Sequence, residues 1–117
     1  MRLITIKKRS DFIRSNKFSK KIYTPHFIIQ KLESNENENI PHFGFTITKK
    51  IGSAIVRNKI KRRLKSIIRE LLKYRDKYFD LSFNYILICK KEIVKVSYSD
   101  LQDELMKKFK SNKTNKS

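Results

Sequence analysis

Apolar positions in this chain change their spacing several times, and each change marks an element. The strongest pattern runs from Ala54 to Tyr74, where Val56, Ile60, Leu64, Ile67, Ile68 and Leu71 recur at helical intervals. On a wheel turning about 100° per residue they fall within about a third of the circle, the stripe of a helix packed on one side. Before it, Phe43, Phe45 and Ile47 alternate with Gly44, Thr46 and Thr48, which predicts a half-buried strand. Lys49-Lys50-Ile51-Gly52-Ser53 forms the turn between them, with Gly52 suited to a tight backbone and Ser53 to an N-cap.

Two more strands follow from composition. His26 to Leu32 is rich in β-branched and aromatic residues, and Pro25 precedes it where a missing N–H costs little. Phe79 to Lys90 reads as strand, and its continuous apolar run Tyr85-Ile86-Leu87-Ile88-Cys89 implies burial on both faces. A second amphipathic helix carries Leu101, Leu105 and Phe109, with Met106 alongside. Either Ser97 with Asp100 or Ser99 with Gln102 fits a capping box at its start.

Weaker signals fill the gaps. Lys8 to Arg14 predicts a short helix capped by Ser10, with Asp11 in its first turn and Phe12 and Ile13 as an apolar edge. Phe18 to Tyr23 is a candidate basic edge strand. Glu33 to Ile40 is polar and Asn-rich, and Pro41 closes it; it predicts a loop, read as a hairpin connection. The expected order is helix, two or three strands, long helix, strand, helix. That is an α+β fold, an α/β sandwich with helices over a small central sheet of about four strands. Residues 1–110 make one domain and 111–117 a polar tail.

Charge changes the picture more than size does. The 117 residues carry 29 Lys plus Arg against 11 Asp plus Glu, a formal charge of +18. Self-repulsion on this scale works against a compact state, so a polyanionic partner is expected, nucleic acid before an anionic membrane surface. The 13 Phe plus Tyr (8 and 5) are too many for a purely disordered basic tail. No apolar run approaches the roughly 18 residues of a membrane span. One cysteine, Cys89, supports neither an internal disulfide nor a cysteine-rich zinc site. The N-terminus has basic residues but no apolar signal-peptide core, so the expected setting is cytoplasmic.

The long helix concentrates the charge. Opposite its apolar stripe lie Asn58, Lys61, Arg62, Lys65, Arg69 and Lys73; Lys59 and Arg63 flank them, and Arg57 sits in the first turn near the apolar edge. Glu70 alone breaks the run. Adjacent like charges cost a few tenths of a kcal/mol per close pair, a cost that phosphates would relieve. Lys49 and Lys50 extend the patch. A protein nuclease, by contrast, would need clustered carboxylates or an acid–base pair. Asp11, Asp76, Asp80, Asp100 and Asp103 are scattered, and His26 and His42 have no partner at metal spacing. No catalytic residue and no metal ligand is therefore expected in the protein itself.

The stretch Lys49 to Leu64, KKIGSAIVRNKIKRRL, resembles the signature of the bacterial ribonuclease P protein subunit, Lys-Lys-(Val/Ile)-Gly-x-Ala-Val-x-Arg-Asn-Arg-(Ile/Val)-Lys-Arg. Lys8 to Phe12, Phe43 to Thr48 and Asn84 to Lys91 are similar to further parts of that family. The resemblance implies an αβββαβα sandwich with a left-handed crossover through the basic helix, against the general rule for such connections. It also implies a role: assisting a catalytic RNA that uses Mg2+ to cut the 5′ leader from precursor tRNA. The implied partners are ribonuclease P RNA, one protein per RNA, and precursor tRNA, with no membrane and no cofactor on the protein alone.

Carried over by position, Arg57, Asn58, Lys59, Lys61 and Arg62 match the family's RNA-contacting motif, and Lys49, Lys50, Lys65 and Arg69 extend it. Arg and Lys neutralise phosphates, and Asn58 can donate to and accept from base edges or riboses. Phe12 matches an aromatic of the family's leader cleft, where base stacking tolerates any sequence. Asn16, Gln30, Thr46 and Thr48 complete the candidate cleft. Asn16 and Gln30 stand where the family often has aromatics, which implies less stacking and more hydrogen bonding. Lys59 stands for the usual second Arg and loses the bidentate fork. Lys65-Ser66 replaces a common Arg-Glu, and Ser19 a common glycine. Charge alone equally suits a structural ribosomal or other RNA-binding protein, or a DNA-compacting protein; only the motif separates them.

Overall fold

The run Tyr85–Cys89 lies in the central strand, and the sheet is assembled around it. The computed structural model describes residues 3–6, 20–34 and 38–113. Within them, β1 (Ile4–Thr5), β2 (Lys20–Tyr23), β3 (Phe27–Glu33), β4 (His42–Thr46) and β5 (Phe83–Cys89) form one sheet in the order β1-β4-β5-β3-β2. Tyr85, Ile86 and Leu87 are buried in succession, so both faces of β5 are covered. The sheet has five strands where about four were expected. The extra one, β1, pairs parallel to β4 and is only two residues long, too short to show a period.

Strand neighbours differ from the expected hairpin. The loop after β3 does not join sequential partners, because β5 lies between β3 and β4, antiparallel to the first and parallel to the second. Alternation along a strand tells which face is buried but not which strand lies alongside. The tight hairpin is instead β2–β3. There the Thr24 amide donates to the Phe27 carbonyl at 3.0 Å, and Thr24 Oγ1 accepts from the Phe27 amide at 2.9 Å.

Helices cover one face. α1 (Ala54–Leu72) crosses from β4 to β5, followed by the single turn α2 (Arg75–Tyr78); a 3-10 helix (Lys91–Lys95) and α3 (Tyr98–Ser111) follow β5. α1 stops two residues short of Tyr74, where the Lys73 and Tyr74 amides reach back three residues to Glu70 and Leu71. β5 begins at Phe83 rather than Phe79, because Phe79 is a core ring and Asp80–Ser82 make the turn into the strand. Ser97 caps α3, its Oγ accepting from the Asp100 amide at 3.1 Å. α3 takes in Ser111, and Asn112 closes it by donating from Nδ2 to the Lys108 carbonyl at 3.0 Å. The short helix expected over Lys8–Arg14, with Phe12, Asn16 and Ser19, lies outside the described residues. No helix among the described residues is long and apolar enough to cross a membrane.

The core between sheet and helices joins Ile22, Phe27, Ile29, Phe43 and Leu87 to Leu64, Ile67, Ile68, Leu101 and Leu105. Four rings form its centre: Phe79 meets Phe43 edge-on at 5.2 Å and Phe109 at 4.8 Å, and Tyr85 stacks on Phe43 at 5.7 Å. Burial pushes the Tyr85 phenol above its ordinary range, and its oxygen accepts from the Asp80 amide at 2.9 Å.

One cation lies inside this shell. Lys31, 4% exposed, pairs with Asp80, donates to the Asn112 carbonyl at 3.0 Å and stands 4.6 Å from the centre of the Phe83 ring. It ties β3, the entry to β5 and the end of α3 together. Lys31→Ala removes the cation beside the largely buried Asp80 carboxylate and should cost about 3–5 kcal/mol of unfolding free energy in a urea titration. The double replacement Lys31→Met, Asp80→Leu should recover most of that loss, because no buried charge is then left alone.

Candidate nucleic-acid interface

The basic helix is aimed by the turn before it. The Ile51 amide donates to the Thr48 carbonyl at 3.0 Å, and Ser53 Oγ accepts from the Val56 amide at 3.3 Å. Gly52 has φ 156°, and a Cβ there would stand 3.2 Å from Val56 Cγ1. The backbone angle favours glycine, and a Cβ would press on Val56. Lys49 and Lys50 are exposed in this turn.

α1 buries Ile60, Leu64, Ile67, Ile68, Leu71 and Leu72, so its opposite side faces out. Asn58, Lys59, Lys61, Arg62 and Arg69 are exposed there, and Lys65 is half-buried. The helix's single acid, Glu70, pairs with Lys73 at 3.0 Å near the far end. Arg57 is half-buried at the apolar edge, and its Nε is buried without a hydrogen-bond partner. Ile55 is 82% exposed and lines one open depression with Asn58, Lys61, Arg62 and Lys65. Ile55 is a member of this surface that the charge pattern alone does not mark. Its place off the apolar stripe was the available signal.

Of the leader-cleft candidates, Phe12 and Asn16 lie outside the described residues, and Gln30 and Thr46 lie on the other face of the sheet. Ile86 is 2% exposed yet stands outside the helix-side core, because alternate residues of β5 point away from the helices. Gln30, Ile86 and Gly44 form one row across β3, β5 and β4; Ile28, Ile88 and Thr46 form the next. Gln30 and Thr46 therefore share a face, in adjoining rows on strands two spacings apart, about 12 Å from one another across β5. Gln30 is buried, Thr46 half-buried, and Thr48 is exposed in the turn beyond the strand. So α1 and the Gln30–Thr46 surface occupy opposite sides, joined by the turn that carries Lys49 and Lys50.

A family model described as Ribonuclease P matches residues 1–113. The chain belongs to that family. It is 34% identical over 100 residues to the ribonuclease P protein component of Syntrophus aciditrophicus (strain SB), covering 86% of this chain and 79% of that one. The ribonuclease P protein component of Bacillus cereus (strain AH187) is 31% identical over 105 residues, covering 90% and 87%. The structure of the Staphylococcus aureus RNase P protein superposes with a TM-score of 0.77 at 27% identity, over 97% of this chain and all (100%) of that one. The Thermotoga maritima RNase P protein shares the fold at a TM-score of 0.79 and 20% identity, over 94% and 98%.

Within this ribonuclease P fold the other polar candidates have structural partners. His26 Nδ1 lies 2.6 Å from Glu104 Oε2, linking the β2–β3 hairpin to α3. At His42 the backbone amide, not the ring, is engaged, donating to Asn84 Oδ1 at 3.0 Å. Asp80 is held by Lys31. Among the described residues no group of His, Cys, Asp or Glu is placed to hold a metal ion. Cys89 is buried, and burial pushes its thiol up to about 12.

The Cys89 thiol should therefore resist iodoacetamide near neutral pH and react only once denaturant opens the core. An unfolded thiol loses its proton near its ordinary value of 9.0 while the folded one keeps it to about 12. In that interval the native state binds more protons, so this group removes stability as pH rises through it. Gly52→Ala, strained at its backbone angle and pressed on Val56, should cost about 1–3 kcal/mol in chemical denaturation.

Proposed function

We propose that this protein is the protein subunit of ribonuclease P. It binds the catalytic RNA through α1 and the turn before it, and the 5′ leader of precursor tRNA on the sheet face that carries Gln30 and Thr46. The RNA cuts the leader from the tRNA, and Mg2+ is held by that RNA; no protein carboxylate is assigned to it. One protein works with one RNA, in the cytoplasm.

The observation that carries the reading is the segregation of α1. A helix that buries Leu64, Ile67 and Ile68 presents Lys59, Lys61, Arg62 and Arg69 together on the outside, in a chain of this family. Arg57 stands half-buried at the rim of that surface, a guanidinium suited to a phosphate oxygen. Cations arranged this way stand in for part of the screening that Mg2+ otherwise supplies around folded RNA.

The test is cleavage of a precursor tRNA by the cognate ribonuclease P RNA at low Mg2+, with and without the protein. Strong stimulation is expected. Binding to the RNA with cleavage unchanged would make a structural RNA-binding role the better reading. Replacing Lys61 and Arg62 together by Ala should shallow the log–log salt dependence of RNA affinity by about 1.4–1.8, from roughly 0.7 to 0.9 per phosphate contact. An unchanged slope removes α1 from the interface.

A further inference from the structure

β2 is the edge strand beside β3, and its residues alternate between faces. Ile22 enters the helix-side core, so Lys21 and Tyr23 project from the opposite face, the one that carries Gln30 and Thr46. Tyr23 is 63% exposed there. Its register partner is Ile28, and the same row continues through Ile88 to Thr46; the adjoining row runs Lys21, Gln30, Ile86, Gly44. Tyr23 thus stands at the open end of a row that crosses four strands, about 14 Å from β4. Gln30 is its diagonal neighbour, about 7–8 Å away.

The charge beside this ring on its own strand is cationic. Lys21 is exposed on the same face of the strand, two residues away, and Lys20 is exposed on the strand's other face. An exposed aromatic face beside an ammonium suits an unpaired base and its phosphate, and stacking on the ring would not depend on which base it is. An extended acidic or neutral peptide could use the strand edge, but it would leave the ring face unused.

We propose that Tyr23, with Lys21 beside it, is a stacking platform for an unpaired base of the 5′ leader, carrying the leader's path from Thr46 and Gln30 to the edge of the sheet. The proposal rests on the subunit reading above and adds to it a binding residue on β2.

The experiment uses the full-length protein assembled with its cognate RNA and two fluorescently labelled precursor tRNAs, one with a long leader and one with a single-nucleotide leader. The quantity read is the ratio of their dissociation constants. Tyr23→Ala should cut the preference for the long leader by about 5- to 150-fold, the loss of one base–aromatic stack. Tyr23→Leu, which keeps apolar bulk on the strand, should lose the preference as well, and Tyr23→Phe should keep it. Melting curves of the variants report folding independently. A wild-type preference that Tyr23→Ala leaves intact overturns the Tyr23 platform while the subunit reading stands. Equal weakening of both substrates also overturns it, placing the ring against the tRNA body or the catalytic RNA. If the wild-type protein neither stimulates cleavage nor distinguishes the leaders, the subunit reading fails first and the platform with it.

Discussion

The parallel pairing of β4 with β5 governs the rest of this architecture. Antiparallel neighbours can be joined by a short turn, but parallel neighbours require the chain to leave one end of the sheet and return to the other. The connecting segment here is α1, 19 residues and about 28 Å long. It must bury one side on the sheet, which leaves the other side to the surface. The most cationic helix in the chain is therefore also the one whose position the sheet topology fixes most firmly.

Charge is then distributed by cost. A surface ammonium loses little hydration, whereas a buried one needs a partner with good geometry. Lys31 is the exception inside, and it is surrounded by the Asp80 carboxylate, the Asn112 carbonyl and the Phe83 ring. On α1 the cations stay outside, and repulsion among them is tolerated because the aliphatic stripe and the aromatic centre of the core hold the helix down. Phe79, Tyr85, Phe43 and Phe109 supply that hold with rings in direct contact.

The candidate surface has two parts on opposite sides of the sheet. Gly52 and Ser53 turn the chain between them, so the orientation of α1 and the end of β4 are set within a few residues of one another. In the proposed holoenzyme this lets one small domain touch a folded RNA with its helix and a single strand with its sheet. The match to the Staphylococcus aureus protein over nearly the whole chain shows that the same scaffold is kept at 27% identity.

Much of this was legible in the residues themselves. Helix α1, its stripe, its N-cap at Ser53 and the cations opposite are local properties, written at helical spacing and independent of what packs against them. The protected run in β5 and the alternation in β4 are local in the same sense, and so is the Lys49 to Leu64 motif that resembled the family. The neighbours of each strand were not legible. A hairpin between β3 and β4 was as consistent with their patterns as the insertion of β5 between them, since a strand's pattern specifies its faces and not its partners. For the same reason Lys31 read as an ordinary strand lysine and Tyr23 as the end of a weak edge strand. Only the tertiary structure, by setting the order β1-β4-β5-β3-β2, buried the first against Asp80 and put the second in a row with Thr46. Those contacts join residues far apart in the chain, and no local spacing encodes them.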